Sequence, residues 1–209
     1  MAKYTGAVCR LCRREKKKLF LKGDRCYSEK CSLMVKKNVP GVHGQLRKKF
    51  SSYCSQLREK QMAKRYYGVL ERQFSRYFDL AERKKGLTGE NLLRILESRL
   101  DNVIYMAGFA ASRAEAKQLI LHRHFKLNGE RVNIPSILVK EKDIIEVNEK
   151  SKKSLKFKSI FEKLESHTSA PMWMEVDKNE KKISILRLCN RDEVGIEVAE
   201  HLIVELYSK

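Results

Sequence analysis

Residues 96–136 read LESRLDNVIYMAGFAASRAEAKQLILHRHFKLNGERVNIPS, and with the continuation to Val147 they decide the fold. Leu96, Leu100, Val103 and Ile104 recur at helical spacing and predict a first short helix. Gly108 then permits a sharp turn. Ser112 offers an N-cap, and Glu115 completes an S-x-x-E capping box for a second helix. That helix should turn Ala116, Leu119 and Ile120 inward and carry Arg113 and Lys117, four residues apart, on the opposite face. Asn128-Gly129 stands between Lys126-Leu127 and Arg131-Val132. A type I′ turn needs positive φ at both centres, so this dipeptide predicts a tight hairpin. Asp143 to Val147 reads as a closing strand. The unit expected is two short helices and a hairpin, with Arg99, Arg113, Lys117, Arg123, Lys126 and Arg131 offered to a phosphate backbone. The pattern points to RNA.

Charge agrees with that reading. The 209 residues hold 45 Lys and Arg against 26 Asp and Glu, a net +19. Residues 1–60 carry 17 basic and 4 acidic side chains, net +13, whereas residues 151–209 carry 11 and 10, net +1. A load concentrated at one end favours a polyanion, because neutralised phosphates release condensed counterions. Hydrophobic content of 42% suits one or two domains with a real core. No apolar signal segment opens the chain, and the longest apolar run, Val103–Ala111, is too short to span a bilayer. A soluble, cytoplasmic protein is expected, bound to neither membrane nor DNA.

Working outward toward the start, residues 45–64 predict a basic helix with an apolar stripe through Leu46, Phe50, Tyr53 or Cys54, and Leu57. Arg47, Lys48 and Lys49 lie on it as candidate RNA contacts. A second helix, about Val69 to Lys84, should bury Leu70, Phe74, Tyr77, Phe78 and Ala81. It should line Arg65, Arg72, Arg76 and Arg83 along its other side, spaced to follow phosphates. Any one of these arginines could equally be a solvated charge. A third helix is expected to start near Thr88 as N-cap.

Before these helices stand Cys9-x2-Cys12 and Cys26-x4-Cys31, thirteen residues apart. Two close pairs can supply four thiolates to one tetrahedral ion, and Arg10, Arg13, Arg14 and Arg25 nearby favour the thiolate. Zinc is the ion expected, with an iron–sulfur cluster on the same four cysteines as the alternative and four unligated cysteines as the plain one. Cys54 and Cys189 read as small core residues, Cys189 in a late strand. His43 reads as a loop residue, while His122 and His124, beside the hairpin, read as RNA contacts or loop packing.

Toward the end, residues 151–166 read as a basic amphipathic segment turning Leu155, Ile160, Phe161 and Leu164 inward. Its Lys152, Lys153, Lys156 and Lys158 face either RNA or solvent. Met172–Val176 and Ile183–Leu188 alternate like strands about a polar turn and should extend the sheet, with Trp173 in the core. The tail from Glu197 to Tyr207 fits helix or strand.

The run RLDN-V-I-Y-x-x-GFA-x-SR-x-x-A-x-QL-I-x-H-x-H-x-x-x-NG-x-x-V-x-IPS resembles the small RNA-binding domain named after small-subunit ribosomal protein four. Gln56-Leu-Arg-Glu-Lys-Gln61, Tyr67-Gly-Val-Leu-Glu-Arg-Gln-Phe74 and Glu205-Leu-Tyr-Ser-Lys209 are similar to the rest of that ribosomal protein family, in its cysteine-containing form. Three positions depart from its pattern: Met106 stands where a basic residue is usual, and Arg123 and Cys54 stand where glycine is usual. The resemblance implies an α+β fold: a cysteine module over 1–45, a helical lobe over 46–96, the small RNA-binding domain over 97–160, and a sheet-completing segment with a tail over 161–209. It implies a non-catalytic, primary rRNA-binding constituent of the small ribosomal subunit. It also implies nucleation of assembly at a multi-helix junction, a part in translational accuracy through small-subunit protein five, a place near the mRNA path into the subunit, and a Val39–Gly44 loop held against rRNA. The RNA-contacting residues expected are Ser112, His122, Arg123 and His124 together with Arg47, Lys48, Lys49, Arg65, Arg72, Arg76, Arg83, Arg99, Arg113, Lys117, Lys126 and Arg131.

Two rivals belong to other classes. An RNA-modifying enzyme would need a catalytic domain, and none of G-x-x-x-x-G-K-[ST], H-E-x-x-H or G-x-S-x-G occurs. A stress-related RNA-binding factor that only visits ribosomal particles is the other.

Overall fold

The computed structural model describes residues 3–36, 38–44, 49, 51–166 and 170–208, the side chains of 163–166 aside. The chain divides into two units: residues 1–92 with 195–209, and residues 93–194. Among the described residues, no helix is long and apolar enough to cross a membrane.

The first unit opens with α1 (Cys9–Glu15), a 3-10 turn (Gly23–Cys26) and the short α2 (Ser32–Val35). Helix α3 (Ser52–Tyr66) starts where the Ser51 hydroxyl accepts from the Cys54 N–H at 3.2 Å. The buried face differs from the stripe expected. Tyr53 is exposed and Leu57 half-buried, while Gln56, Met62, Ala63 and Tyr66 face inward; Leu46 and Phe50 lie outside the described residues. The helix stops at Gly68, whose φ of +62° allows a left-handed residue without a Cβ clash. Gly68 N–H returns to the Arg65 carbonyl and Val69 N–H to the Lys64 carbonyl, closing a Schellman-type end. Helix α4 (Glu71–Glu82) then buries Phe74, Tyr77, Phe78 and Ala81, which recur at helical spacing. Leu70, expected inside, is exposed, because it is the extended residue ahead of the helix. Helix α5 (Thr88–Glu97) follows, and its Asn91 side chain donates to the carbonyls of Ala81, Lys84 and Lys85 at 3.2–3.4 Å. The two amide hydrogens thereby serve terminal carbonyls of the preceding stretch.

The second unit holds α6 (Leu100–Met106) and α7 (Arg113–Leu121), followed by β1 (Phe125–Leu127), β2 (Glu130–Arg131) and β3 (Ile144–Val147). Next come α8 (Glu149–Lys152), α9 (Leu155–Ser166), β4 (Met174–Asp177) and β5 (Lys182–Ile185). Ser112 caps α7 by accepting from Glu115 N–H at 3.2 Å, while the Glu115 carboxylate accepts from Ala111 N–H at 2.7 Å. Asn128 and Gly129 take φ of +50° and +85°, the hairpin conformation expected of them. The five strands order as β2-β1-β3-β5-β4, each pair antiparallel. One face sets Phe125, Ile145, Val147, Ile183 and Ile185 into a core with Ile104, Ile120, Phe157 and Trp173. Leu155, expected inward, is exposed instead. Helix α9 buries Phe157, Ile160 and Phe161, so Leu155 falls on the opposite side. Leu164 lies outside the described side chains. Cys189 is buried ahead of a 3-10 turn (Arg191–Glu193) rather than in a strand, and burial pushes its thiol up to about 12.

The chain then returns to the first unit. Helix α10 (Glu200–Tyr207) packs on α3, resolving the tail as helix. Tyr207 stacks on Phe78 with ring centroids 4.5 Å apart, and its hydroxyl donates to Glu71 at 3.0 Å. Glu71 also accepts from Lys60 and Lys64 at 2.6 and 2.8 Å. Partial burial works to raise its carboxyl, but the two ammonium donors outweigh that and hold it down at about 2.

Candidate nucleic-acid interface

Helix α4 builds the plainest cation row. With Phe74, Tyr77, Phe78 and Ala81 committed to the core, Arg72, Arg76 and, just past the helix end, Arg83 are left exposed on the other side. Arg65, expected in the same row, is committed elsewhere. It and Arg58 (3.2 Å) both pair with the buried carboxylate of Glu15 at the end of α1. Burial raises the Glu15 carboxyl above its ordinary value in spite of both guanidiniums. The pairing clasps α1 to α3. Lys49 is exposed, while Arg47 and Lys48 lie outside the described residues. His43 is exposed in its loop.

In the second unit the structure corrects two expectations. Arg99 is 0% exposed, and its guanidinium donates to both oxygens of Asp101, at 3.0 and 2.6 Å. Arg113 is 5% exposed, donates from Nε to Asn102 Oδ1 at 2.8 Å and lies over the Tyr105 ring at 4.4 Å. Asn102 in turn donates to the Glu97 carboxylate and carbonyl at 2.5 and 3.0 Å. Neither arginine is displayed for a phosphate. They belong to an internal polar seam where α6 begins. The main chain pins this seam, with Leu100 N–H on the Ile137 carbonyl and Val139 N–H on the Ser98 carbonyl. Buried charges of this kind persist only when paired and hydrogen-bonded. Lys117 is half-buried beside the seam. Burial lowers its pKa, Asp101 works against that, and Arg99 lowers it further.

The remaining candidates surround the hairpin. His122, Arg123 and Arg131 are exposed, and Ser112, Lys126 and His124 are half-buried. Arg123 takes φ of +61°, a left-handed conformation, at the position where the family resemblance expects glycine. His124 shares a hydrogen bond with Ser151 at 2.9 Å, and burial lowers its pKa. Across the sheet, Arg131, Lys126, Glu146, Lys182 and Asp177 fall in register and so share the face opposite the core. Lys182 pairs with Glu146 at 3.3 Å, which concentrates positive charge at the β1–β2 end.

The four cysteines of the N-terminal module are gathered but less displayed. Cys12, Cys26 and Cys31 are buried and Cys9 half-buried. Burial raises the Cys12 thiol, a bond from the Leu19 backbone opposes this, and the charges of Cys26, Cys9 and Cys31 raise it further, so the four lie within electrostatic reach. Lys22 N–H donates to Cys26 Sγ at 3.3 Å. Among the described residues, no three His, Cys, Asp or Glu side chains converge closely enough to hold a metal. The donor chemistry and backbone N–H support suit a soft divalent ion, while the side chains as placed do not close around one.

Two features escaped the sequence reading. Glu15 looked like one acid in a basic run, and only the fold shows its partners 43 and 50 residues away. Phe20 and Tyr27 stack with centroids 5.2 Å apart on the module's surface. The signal available was two aromatics inside a strongly cationic segment.

Comparison with known proteins gives the chain its family. Residues 3–97 match the ribosomal protein S4/S9 N-terminal domain, and residues 98–145 match the S4 domain. The first match, with the full-length relatives that follow, places the chain among ribosomal proteins, a structural and non-enzymatic class. Over all 209 residues, and the whole of each relative, it is 57% identical to small ribosomal subunit protein uS4A of Alkaliphilus oremlandii. It is 56% identical to uS4 of Pelotomaculum thermopropionicum and 57% identical to uS4 of Caldicellulosiruptor bescii, again over both full lengths. The chain belongs to the uS4 family of small ribosomal subunit proteins.

Proposed function

We propose that this protein is a ribosome-bound, non-catalytic constituent of the small subunit that grips rRNA through phosphates and shape. The observation that carries this is the division of labour on α4, where one side is core and Arg72, Arg76 and Arg83 are all exposed. Such a row positions RNA without reading bases. Lys126, Arg131 and Arg123 at the hairpin supply a second cationic surface, in the other unit. The family resemblance adds early binding at a junction, nucleation of subunit assembly, contact with small-subunit protein five, a place near the mRNA path and a part in accuracy. Co-sedimentation with small subunits should survive a high-salt wash. Release by that wash would favour a visiting factor instead.

The same reading gives Cys9, Cys12, Cys26 and Cys31 to a zinc ion, with an iron–sulfur cluster as the alternative. Thiol content and sulfur-directed N–H groups support it, and a metal there would order a segment too polar to bury a core of its own. Elemental analysis and a visible spectrum of anaerobically purified protein are expected to return one equivalent of zinc and no colour. Iron with visible absorption would replace zinc by a cluster, and neither metal would remove the assignment.

A further inference from the structure

We propose that Tyr27, backed by Phe20, is a stacking platform for one unpaired base of the rRNA. This rests on the rRNA-binding reading above and adds to it a contact that is aromatic rather than ionic. Tyr27 is 68% exposed, among the most solvent-accessible large apolar side chains on the molecule. One of its faces is already occupied by Phe20, with centroids 5.2 Å apart and planes 29° from parallel. Phe20 itself holds a left-handed φ of +51°, a conformation a bulky residue adopts only where its surroundings impose it.

Position supports the occupant. The turn presenting Tyr27 is closed by Tyr27 N–H on the Asp24 carbonyl at 3.1 Å and by Arg25 Nε on the Lys30 carbonyl at 3.2 Å. Lys18, Lys22, Arg25 and Lys30 are all exposed on the residues that flank it in the chain, against Asp24 and Glu29. They lie within the sixty residues that carry net +13. Four cations against two acids over residues 18–30 favour a polyanion as the occupant. A nucleotide meets both of its needs, phosphate neutralisation by the lysines and arginine and a flat π surface for its base. Because Phe20 already fixes the ring, little rotamer freedom remains to be lost on binding. Stacking tolerates any base, so the platform would fix where a strand runs rather than which sequence it has.

The test uses the full chain, full-length small-subunit rRNA of Alkaliphilus oremlandii as probe, and the variants Tyr27→Phe, Tyr27→Leu and Tyr27→Ala. Tyr27→Phe should bind as wild type. Tyr27→Leu and Tyr27→Ala should bind roughly 5- to 150-fold more weakly, the range for one stacked base. The slope of log affinity against log salt should be unchanged, since no charge is removed. Ultraviolet irradiation of the wild-type complex should leave a nucleotide on the peptide containing Tyr27. Equal binding by Tyr27→Leu and Tyr27→Phe would overturn the platform. Should Tyr27→Leu also loosen the module, seen as faster thiol labelling, the cross-link decides: a nucleotide on Tyr27 sustains the proposal and its absence ends it. Wild-type protein that fails to bind the rRNA would instead sink the underlying reading, which keeps the two failures apart.

Discussion

Replacing Asp101 with alanine should destabilise the second unit by about 3–5 kcal/mol, the usual cost of breaking a buried ion pair from one side. Arg99 is fully buried, and Asp101, itself 2% exposed, accepts two of its donors. Removing the carboxylate takes two charge-assisted bonds from a guanidinium that solvent does not reach. The paired change Arg99→Met with Asp101→Leu should recover most of the loss, because apolar residues of similar volume need no partner. Urea unfolding followed by fluorescence is well suited to this. The chain's one tryptophan, Trp173, is 1% exposed in the same unit and reports on it selectively. A loss below about 0.5 kcal/mol, the ordinary scale of surface substitutions, would show that the pair is not the anchor its geometry indicates.

The second large effect is on binding. Arg72→Ala, Arg76→Ala and Arg83→Ala together should leave the fold intact, since all three point away from the core of α4. Affinity for rRNA should fall at least roughly tenfold at 0.1 M salt, because charge-assisted hydrogen bonds are each worth about 1.5–3 kcal/mol before solvent screening. The slope of log affinity against log salt should shrink by about 2, with each lost phosphate contact removing 0.7–0.9. Arg65→Ala makes a useful contrast. It should leave that slope nearly unchanged and instead loosen α1, because Arg65 serves Glu15. A triple variant with the wild-type slope would move the phosphate grip off α4.

What the sequence revealed follows from the range of each interaction. The Asn128-Gly129 hairpin, the Ser112 cap and the buried face of α4 from Phe74 to Ala81 depend on neighbours within a turn or two, and each formed where expected, Leu70 ahead of the helix excepted. The cation list was less legible because charge alone does not say whether a partner exists. Arg99 finds its carboxylate two residues on, a spacing that no helix-face rule brings together, and only the irregular junction between α5 and α6 makes it possible. Arg113 reaches Asn102 eleven residues back, and Arg65 reaches Glu15 fifty residues back. Leu155 misled for a simpler reason, since an amphipathic stretch shows its apolar side only after the helix start is known.

The return of α10 to the first unit also sets a timetable. Every residue of the second unit has left the synthesising machinery once Val194 has, but the surface made by Phe74 and Phe78 waits for Tyr207. At about 5–20 residues per second, the gap between Leu92 and Tyr207 lasts on the order of ten seconds. The helices that begin the chain are therefore the last to be finished, and the middle is free to fold first. For that interval a nascent copy carries its arginine row on a lobe that still lacks α10.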